Sequence, residues 1–257
     1  MIENNIIIFV ATLSVGAISG YLGSLLVTKR MALVGDALGH VALPGIAVAI
    51  LYGFSVIEGA FLSLALGILI IWILEQETKL PSEALIGILF TVSLASALLV
   101  IPEGELEEAL IGDLSSITQK EALLVILLSV LVFIIVKIIF KKITLLTLSE
   151  DLARAEGIKV NFYKLLYLIS IGLTIALGIK FAGSLLVGAL LIIPAASSRI
   201  VSNSMSGYVY GAMICGVLSV ALGILFSNIF SFPAGPITVI ISALFFLLAM
   251  AKKKIYG

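Results

Sequence analysis

Residues 122–140 read ALLVILLSVLVFIIVKIIF, an apolar run that only Ser129 and Lys137 interrupt. An apolar run of about 18 residues or more can cross the hydrocarbon core of a bilayer as one helix. Residues 6–27 and 237–251 form further apolar runs. A soluble core would divide its apolar residues into amphipathic stripes instead. The pattern therefore predicts an integral membrane protein built from transmembrane helices.

The composition of the whole chain agrees with this interpretation. Of its 257 residues, 61% are hydrophobic and 12% are charged, whereas soluble domains carry about a quarter charged residues. The formal net charge is zero, which argues against a nucleic-acid partner because such surfaces are basic. The N-terminus lacks the basic flank of a signal peptide, so we expect residues 6–27 to remain as a first span.

Charged and turn residues divide the chain into about nine spans, with eight as the alternative count. They are residues 6–27, 36–54, 56–74, 84–101, 121–140, 162–179, 182–200, 207–228 and 235–251. The fold class predicted is an all-α polytopic helical bundle, with residues 1–257 forming a single transmembrane domain. The second, third and sixth to eighth spans carry glycine and polar residues, and we expect bent or partly re-entrant spans among them.

The positions of lysine and arginine predict the orientation. All of the 15 basic residues except Lys120 and Lys180 fall in segments on one side of this topology. Because cytoplasmic segments carry the excess of basic residues, we expect the N-terminus outside and the C-terminus in the cytoplasm. The outer loop at residues 102–119 holds Glu103, Glu105, Glu107, Glu108 and Asp113. It either raises the local cation concentration or is simply a solvated loop.

The second span holds two ionisable residues within an apolar stretch. Residues 31–50 read MALVGDALGHVALPGIAVAI and include Asp36 and His40, the only histidine of the chain. Four residues apart, the two share one helix face. A carboxylate and an imidazole on one face form half of a divalent-metal site. The alternative is that Asp36 and His40 only pair with each other. Pro44 lacks an N–H, so we expect the carbonyl of His40 to lose its helical donor.

Two further stretches carry polar residues. Residues 144–160 read TLLTLSEDLARAEGIKV, which predicts a short helix capped by Ser149 and ended by Gly157. Such a helix suits docking to a partner, or is an ordinary surface helix. Residues 181–202 read FAGSLLVGALLIIPAASSRIVS, where Ser197 and Ser198 form hydrogen bonds across the bundle or lie near a pathway.

Together these stretches resemble the metal-ion permease family of ABC importers, which serves manganese, zinc and sometimes iron. GDALGHVALPG is similar to the family's second-span motif, SEDLARAEGI to its ATPase-docking segment, and GSLLVGALLIIPAASSR to a later apolar segment. KLPSEALIGILF, which contains Glu83, also fits the family pattern. The resemblance covers roughly residues 6–251. Gly39 departs from the pattern, because serine commonly precedes the motif histidine.

The resemblance implies a fold like that of type II ABC importers, in a prokaryotic plasma membrane. It also implies two permease copies, a cytoplasmic ATPase subunit and an extracellular metal-binding protein. Asp36 and His40 match the family's metal positions. The ATPase-coupling positions are Glu150, Asp151, Leu152, Ala153, Arg154, Ala155, Glu156 and Gly157. Manganese or zinc is then cargo moved by alternating access, and no permanently bound cofactor is expected.

Two rival functions remain open on the residues alone. The chain has no Gly-Lys dipeptide, hence no P-loop, so ATP hydrolysis would belong to a partner and the chain would not be an enzyme. The same absence fits a secondary carrier driven by an ion gradient. An intramembrane protease is less well supported, because there is no His-Glu-x-x-His motif and Asp36 is the only aspartate within a span. Mixed nitrogen and oxygen ligands suit manganese, zinc and iron alike.

Overall fold

The computed structural model describes residues 2–78, 80–100, 111, 112, 114, 117–184 and 186–256. In these residues the chain forms helices and no strands. The helices are α1 (Ile2–Thr28), α2 (Ala32–Val41), α3 (Leu43–Tyr52), α4 (Val56–Thr78), α5 (Ser82–Val100), α6 (Gln119–Leu148), α7 (Glu150–Ala155), α8 (Val160–Ala182), α9 (Val187–Val201), α10 (Met205–Phe230) and α11 (Ala234–Tyr256).

Within the described residues, eight segments are long and apolar enough to cross a membrane, counting α2 and α3 together as one. The prediction of an all-α polytopic bundle with eight or nine spans is therefore confirmed. The ninth segment is α9, which has 15 residues and is about 22 Å long, shorter than a hydrocarbon core of about 30 Å.

Two of the expected spans are not continuous helices. The expected span at residues 36–54 is divided at Ala42 into α2 and α3. In the expected span at residues 182–200, Gly183, Ser184 and Leu186 lie outside helices and α9 begins only at Val187. By contrast, α4, α8 and α10 each run unbroken. The interruptions therefore fall in the two stretches that carry the candidate motifs.

Ion pairs mark the two ends of the bundle. Lys180 and Glu121 lie 2.7 Å apart where α8 ends and α6 begins, and we call this the Glu121 end. Lys164 and Glu75 lie 3.0 Å apart near the start of α8 and the end of α4, and we call this the Lys164 end. The first half of α1 packs against the start of α6, whereas α11 begins against Ala182 and runs away from it. The two chain termini therefore lie at opposite ends.

The centre of the bundle is α1, which packs along α6, α9 and α10. Close approach to α10 requires small residues. A Cβ on Gly16 would lie 2.8 Å from the carbonyl oxygen of Gly216, so the two backbones pack directly against each other. The hydroxyl of Tyr208 on α10 donates to the carbonyl of Ser24 on α1 at 2.9 Å. Most of α8 is buried, whereas only about a quarter of α5 and of α6 is buried, as expected for lipid-facing or partner-facing helices.

The acidic side chains of the loop at residues 102–119 lie outside the described residues, so the expectation for this loop stays a prediction. Its described end begins α6 with a capping box. The Thr118 hydroxyl accepts the N–H of Glu121 at 3.3 Å, and the Glu121 carboxylate accepts the N–H of Thr118 at 2.8 Å. These two bonds satisfy backbone donors at the helix start.

Candidate functional site

Asp36 and His40 both lie in α2, where His40 is buried and Asp36 is half-buried. His40 is 8% exposed, and its Nδ1 lies 3.1 Å from the backbone carbonyl oxygen of Asp36. A carbonyl oxygen only accepts hydrogen bonds, so Nδ1 is the donor in this bond, and in the neutral imidazole Nε2 is then the nitrogen with a lone pair. The bond thus holds His40 in the tautomer that a metal ligand requires. This hydrogen bond uses the backbone carbonyl of Asp36 and not its carboxylate. It therefore differs from the bond between two side chains that was the alternative.

The ring of Phe90 on α5 also contacts the imidazole. The two ring centroids lie 5.0 Å apart with an interplanar angle of 83°, an edge-to-face arrangement. α5 packs against both α2 and α3. His40 is therefore oriented by a backbone carbonyl and by an aromatic ring.

The break at Ala42 lies directly beyond His40. Ser63 of α4 donates its hydroxyl to the carbonyl of Val41 at 2.6 Å, and Pro44 is in the first turn of α3. Pro44 has no N–H, so it cannot donate to the carbonyl of His40 four residues earlier. The break attaches the His40 end of α2 to α4.

A second interruption of the backbone faces the pair. A Cβ on Gly188 would lie 2.6 Å from the Cα of Asp36, and a Cβ on Gly39 would lie 2.5 Å from the carbonyl oxygen of Ser184. The first turn of α9 therefore packs against Asp36, and Ser184 in the non-helical stretch before α9 packs against Gly39, the neighbour of His40. Irregular backbone at membrane depth is tolerated only where protein buries it or where it lines a polar cavity. The same contact gives Gly39 a packing reason, because there is no room there for a serine side chain.

The described residues supply two candidate metal ligands and no larger group. No set of three or more His, Cys, Asp or Glu side chains comes together within the part of the chain that the structure describes. A carboxylate oxygen and one imidazole nitrogen fit manganese, zinc or iron chemically. Two side chains leave the coordination of any of these ions incomplete.

The predicted coupling segment forms α7 with the expected ends. The Ser149 hydroxyl accepts the N–H of Leu152 at 3.2 Å, and Gly157 has a φ of 76°, a left-handed conformation that ends the helix. Ala153 is fully buried against the bundle. Asp151, Leu152, Arg154, Ala155, Glu156 and Gly157 are exposed, and Glu150 is half-buried. A short helix held by one buried alanine and otherwise open to solvent is suited to contact another protein.

An ion-pair network attaches α7 to the helices behind it. The ammonium of Lys164 lies 2.6 Å from Glu150 and 3.0 Å from Glu75. Lys29 lies nearby, with its ammonium 4.9 Å from the centre of the Tyr167 ring. Burial lowers the pKa of the Lys29 ammonium, and repulsion from Lys164 lowers it further. This network could not be predicted from the sequence, because nothing local links residues 75, 150 and 164.

A groove of about 570 Å³ runs beside this network. It lies between the α4–α5 connection and α7. Its lining residues are Trp72, Glu75, Gln76, Leu80, Pro81, Glu150, Arg154, Asn161 and Lys164. Glu83, from the motif that fits the family pattern, is exposed in the first turn of α5. The groove and α7 together make the Lys164 end a concave surface with both charge signs.

The serines of α9 take different roles. Ser197 donates to the carbonyl of Ile193 in its own helix at 2.7 Å, whereas Ser198 donates to the carbonyl of Tyr208 on α10 at 2.7 Å. Ser198 thus forms the expected bond across the bundle. Both serines line a groove of about 260 Å³ that also contains Cys215.

Comparison with known proteins gives one consistent family. The model of the ABC 3 transport family matches residues 1–253. The manganese transport system membrane protein MntC of Listeria innocua is 28% identical over 247 residues, which cover 93% of this chain and 87% of that protein. The high-affinity zinc uptake system membrane protein ZnuB of Haemophilus influenzae is 32% identical over 248 residues, covering 92% and 93%.

A solved structure agrees with these relatives. The structure of PsaBC from Streptococcus pneumoniae in complex with a Fab superposes with a TM-score of 0.81 at 26% identity. The match covers 94% of this chain and 89% of that one. Fold and sequence therefore agree over nearly the whole length.

Proposed function

The chain belongs to the ABC 3 transport family, and from this premise we propose that it imports manganese or zinc, with iron as a third candidate. It is a multi-pass membrane protein and a transport subunit, not an enzyme. The names of its relatives, which divide between manganese and zinc transport, support this cargo. The observation that carries the proposal is the buried His40, whose Nδ1 is bonded to the carbonyl of Asp36, so that Nε2 of the neutral ring is the nitrogen available to a metal ion.

The metal binds to the Asp36 carboxylate and to Nε2 of His40. A second copy of the chain, related by twofold symmetry, supplies the equivalent pair. Two pairs give four side-chain ligands, which is the usual number for zinc and a workable partial set for manganese. Among the residues that the structure describes, one protomer brings no third His, Cys, Asp or Glu to this pair, which supports the contribution of a second copy. Few ligands also suit a transport site, because the ion must leave after each cycle.

The Lys164 end faces the cytoplasm and binds a separate ATPase subunit through α7. Lys29, Arg154, Lys159 and Lys164 lie at this end, which agrees with the excess of basic residues in cytoplasmic segments. The N-terminus is then outside and the C-terminus inside the plasma membrane. An extracellular metal-binding protein delivers the ion at the Glu121 end.

Transport proceeds by alternating access. ATP binding to the partner subunit moves α7, and the movement changes the packing of α2 against the interrupted backbone before α9. The site opens to one side of the membrane at a time. Metal binding requires an ionised carboxylate and a neutral imidazole, so acid weakens it by protonating the imidazole. Release to the cytoplasm follows when the helices around Asp36 and His40 separate.

The experiment that tests this function is metal uptake into liposomes. The chain is reconstituted with its cognate ATPase and metal-binding protein, and uptake of manganese and zinc is measured with and without ATP. We expect uptake to require ATP and to be insensitive to collapse of proton and sodium gradients. Uptake that needs an ion gradient and no ATP would support the secondary carrier instead, and would refute the ABC-importer mechanism.

A further inference from the structure

The contacts of α4 join the two candidate sites of this chain. Near the Lys164 end, Glu75 of α4 meets the ammonium of Lys164 at 3.0 Å. Twelve residues earlier, Ser63 of the same helix donates to the carbonyl of Val41, the neighbour of His40. Twelve helical residues span about 18 Å. One continuous helix thus reaches from the coupling segment to the break beside the candidate metal ligand.

The part of α4 that contains Gly59 and Gly67 packs tightly against the break at Ala42. A Cβ on Gly67 would lie 2.7 Å from Cγ1 of Val41, and a Cβ on Gly45 would lie 2.0 Å from the carbonyl oxygen of Gly59. Because the backbones of Gly45 and Gly59 lie this close and Gly67 packs on the side chain of Val41, we expect a shift of α4 to move the junction of α2 and α3. Tight packing of this kind transmits displacement, because protein interiors are dense and resist compression.

At the Lys164 end of the bundle, α4 is linked to α7 through Lys164, which belongs to α8. Its ammonium lies between the carboxylates of Glu75 on α4 and Glu150 on α7, and its side chain is 21% exposed. The Glu75 side chain is 16% exposed. α7 itself packs on α6 and α8. Without the ammonium, two carboxylates of like charge would face each other in a partly desolvated space, and they would repel.

We propose that Lys164 is a positioning residue that couples α7 to the Asp36–His40 site, with α4 as the connecting helix. The proposal rests on the function proposed above. Movement of α7 pulls Glu75 through Lys164, and α4 carries the displacement to Val41 and His40. Lys164 does not touch the metal, so its loss impairs the transfer of movement and leaves metal binding and ATP hydrolysis in place.

The test measures metal ions transported per ATP hydrolysed in liposomes containing the full complex. Lys164→Met keeps the length and apolar stem of the side chain and removes its charge. We expect assembly and basal ATP hydrolysis to stay near wild type while the transport ratio falls about tenfold, within the usual range of coupling energies. Lys164→Arg should restore the ratio, because a guanidinium can bond two carboxylates. Lys159→Met is the matched control, since Lys159 is exposed at the start of α8.

Other outcomes overturn the proposal. A Lys164→Met complex with a wild-type ratio, or one in which uptake and hydrolysis fall in proportion, would show that Lys164 is not a coupling residue. Glu75→Gln is the second variant if Lys164→Met does not assemble, and the same loss of ratio is expected there. Wild-type complex without ATP-dependent uptake would refute the proposed function itself. ATP-dependent wild-type uptake with normal coupling in the variants would refute only the role of Lys164.

Discussion

Replacing His40 with glutamine is expected to abolish ATP-dependent metal uptake. Glutamine is polar and of similar length, so α2 should remain folded, but it lacks the imidazole Nε2. Loss of groups that merely orient a ligand costs 10- to 100-fold in metal affinity or activity, so loss of the ligand itself should cost roughly 100-fold or more. Uptake of manganese and zinc into liposomes, at matched protein levels, measures the effect.

The control for His40→Gln is Thr91→Val. The Thr91 hydroxyl donates to the carbonyl of Ile88 within exposed α5 at 2.8 Å, so its removal should leave uptake unchanged. Basal ATP hydrolysis by the assembled complex reports whether His40→Gln is folded. Undiminished uptake in a folded His40→Gln complex would reduce His40 to a packing partner of Phe90, and the metal site would then lie elsewhere.

Leu152→Asp is expected to prevent binding of the ATPase subunit. Leu152 is 50% exposed on α7, so an aspartate there should not unfold the chain. A carboxylate placed in a desolvated contact would cost about 2 kcal/mol or more, as at interface hot spots, which is roughly 30-fold in affinity. Co-purification of the ATPase with tagged chain, followed by titration in detergent, measures the change.

Tyr52→Asp is the matched control for Leu152→Asp. Tyr52 is 79% exposed and ends α3. It lies shortly before the start of α4, and therefore at the opposite end of the bundle from Glu75 and α7. The same change of charge at Tyr52 should leave ATPase binding intact. Equal retention of the ATPase by both variants would remove α7 from the docking surface, whereas equal loss would point to a general effect of the added charge.

The spans could be predicted from the sequence because hydrocarbon imposes a strict length and polarity on each helix. The ends of α7 could also be predicted, because Ser149 and Gly157 act on backbone groups close to them in the chain. The spacing of Asp36 and His40 likewise placed both on one helix. These features are local, and local chemistry decides them.

Features that depend on distant parts of the chain could not be predicted from the sequence. Pro44 signalled a disturbance near His40, but the hydrogen bond from Ser63 to Val41 joins residues 22 apart. Lys164 and Glu75 are 89 residues apart, and each alone resembles an ordinary charge at the end of a span. The late start of α9 has no proline before it to mark it. From the sequence, Gly39 is only a departure from a motif, because its close contact with the carbonyl oxygen of Ser184 joins distant parts of the chain.

The most direct test of the account is spectroscopy of manganese bound to the assembled transporter. His40 is the only histidine of this chain, so incorporating ¹⁵N-histidine into this subunit alone labels one position in each copy. Pulsed electron paramagnetic resonance of bound Mn²⁺ then reports the isotope of any directly coordinated imidazole. We predict a ¹⁵N coupling in the wild-type complex that disappears in His40→Gln. Bound Mn²⁺ with no ¹⁵N coupling in the wild type would contradict the assignment of His40 as a metal ligand.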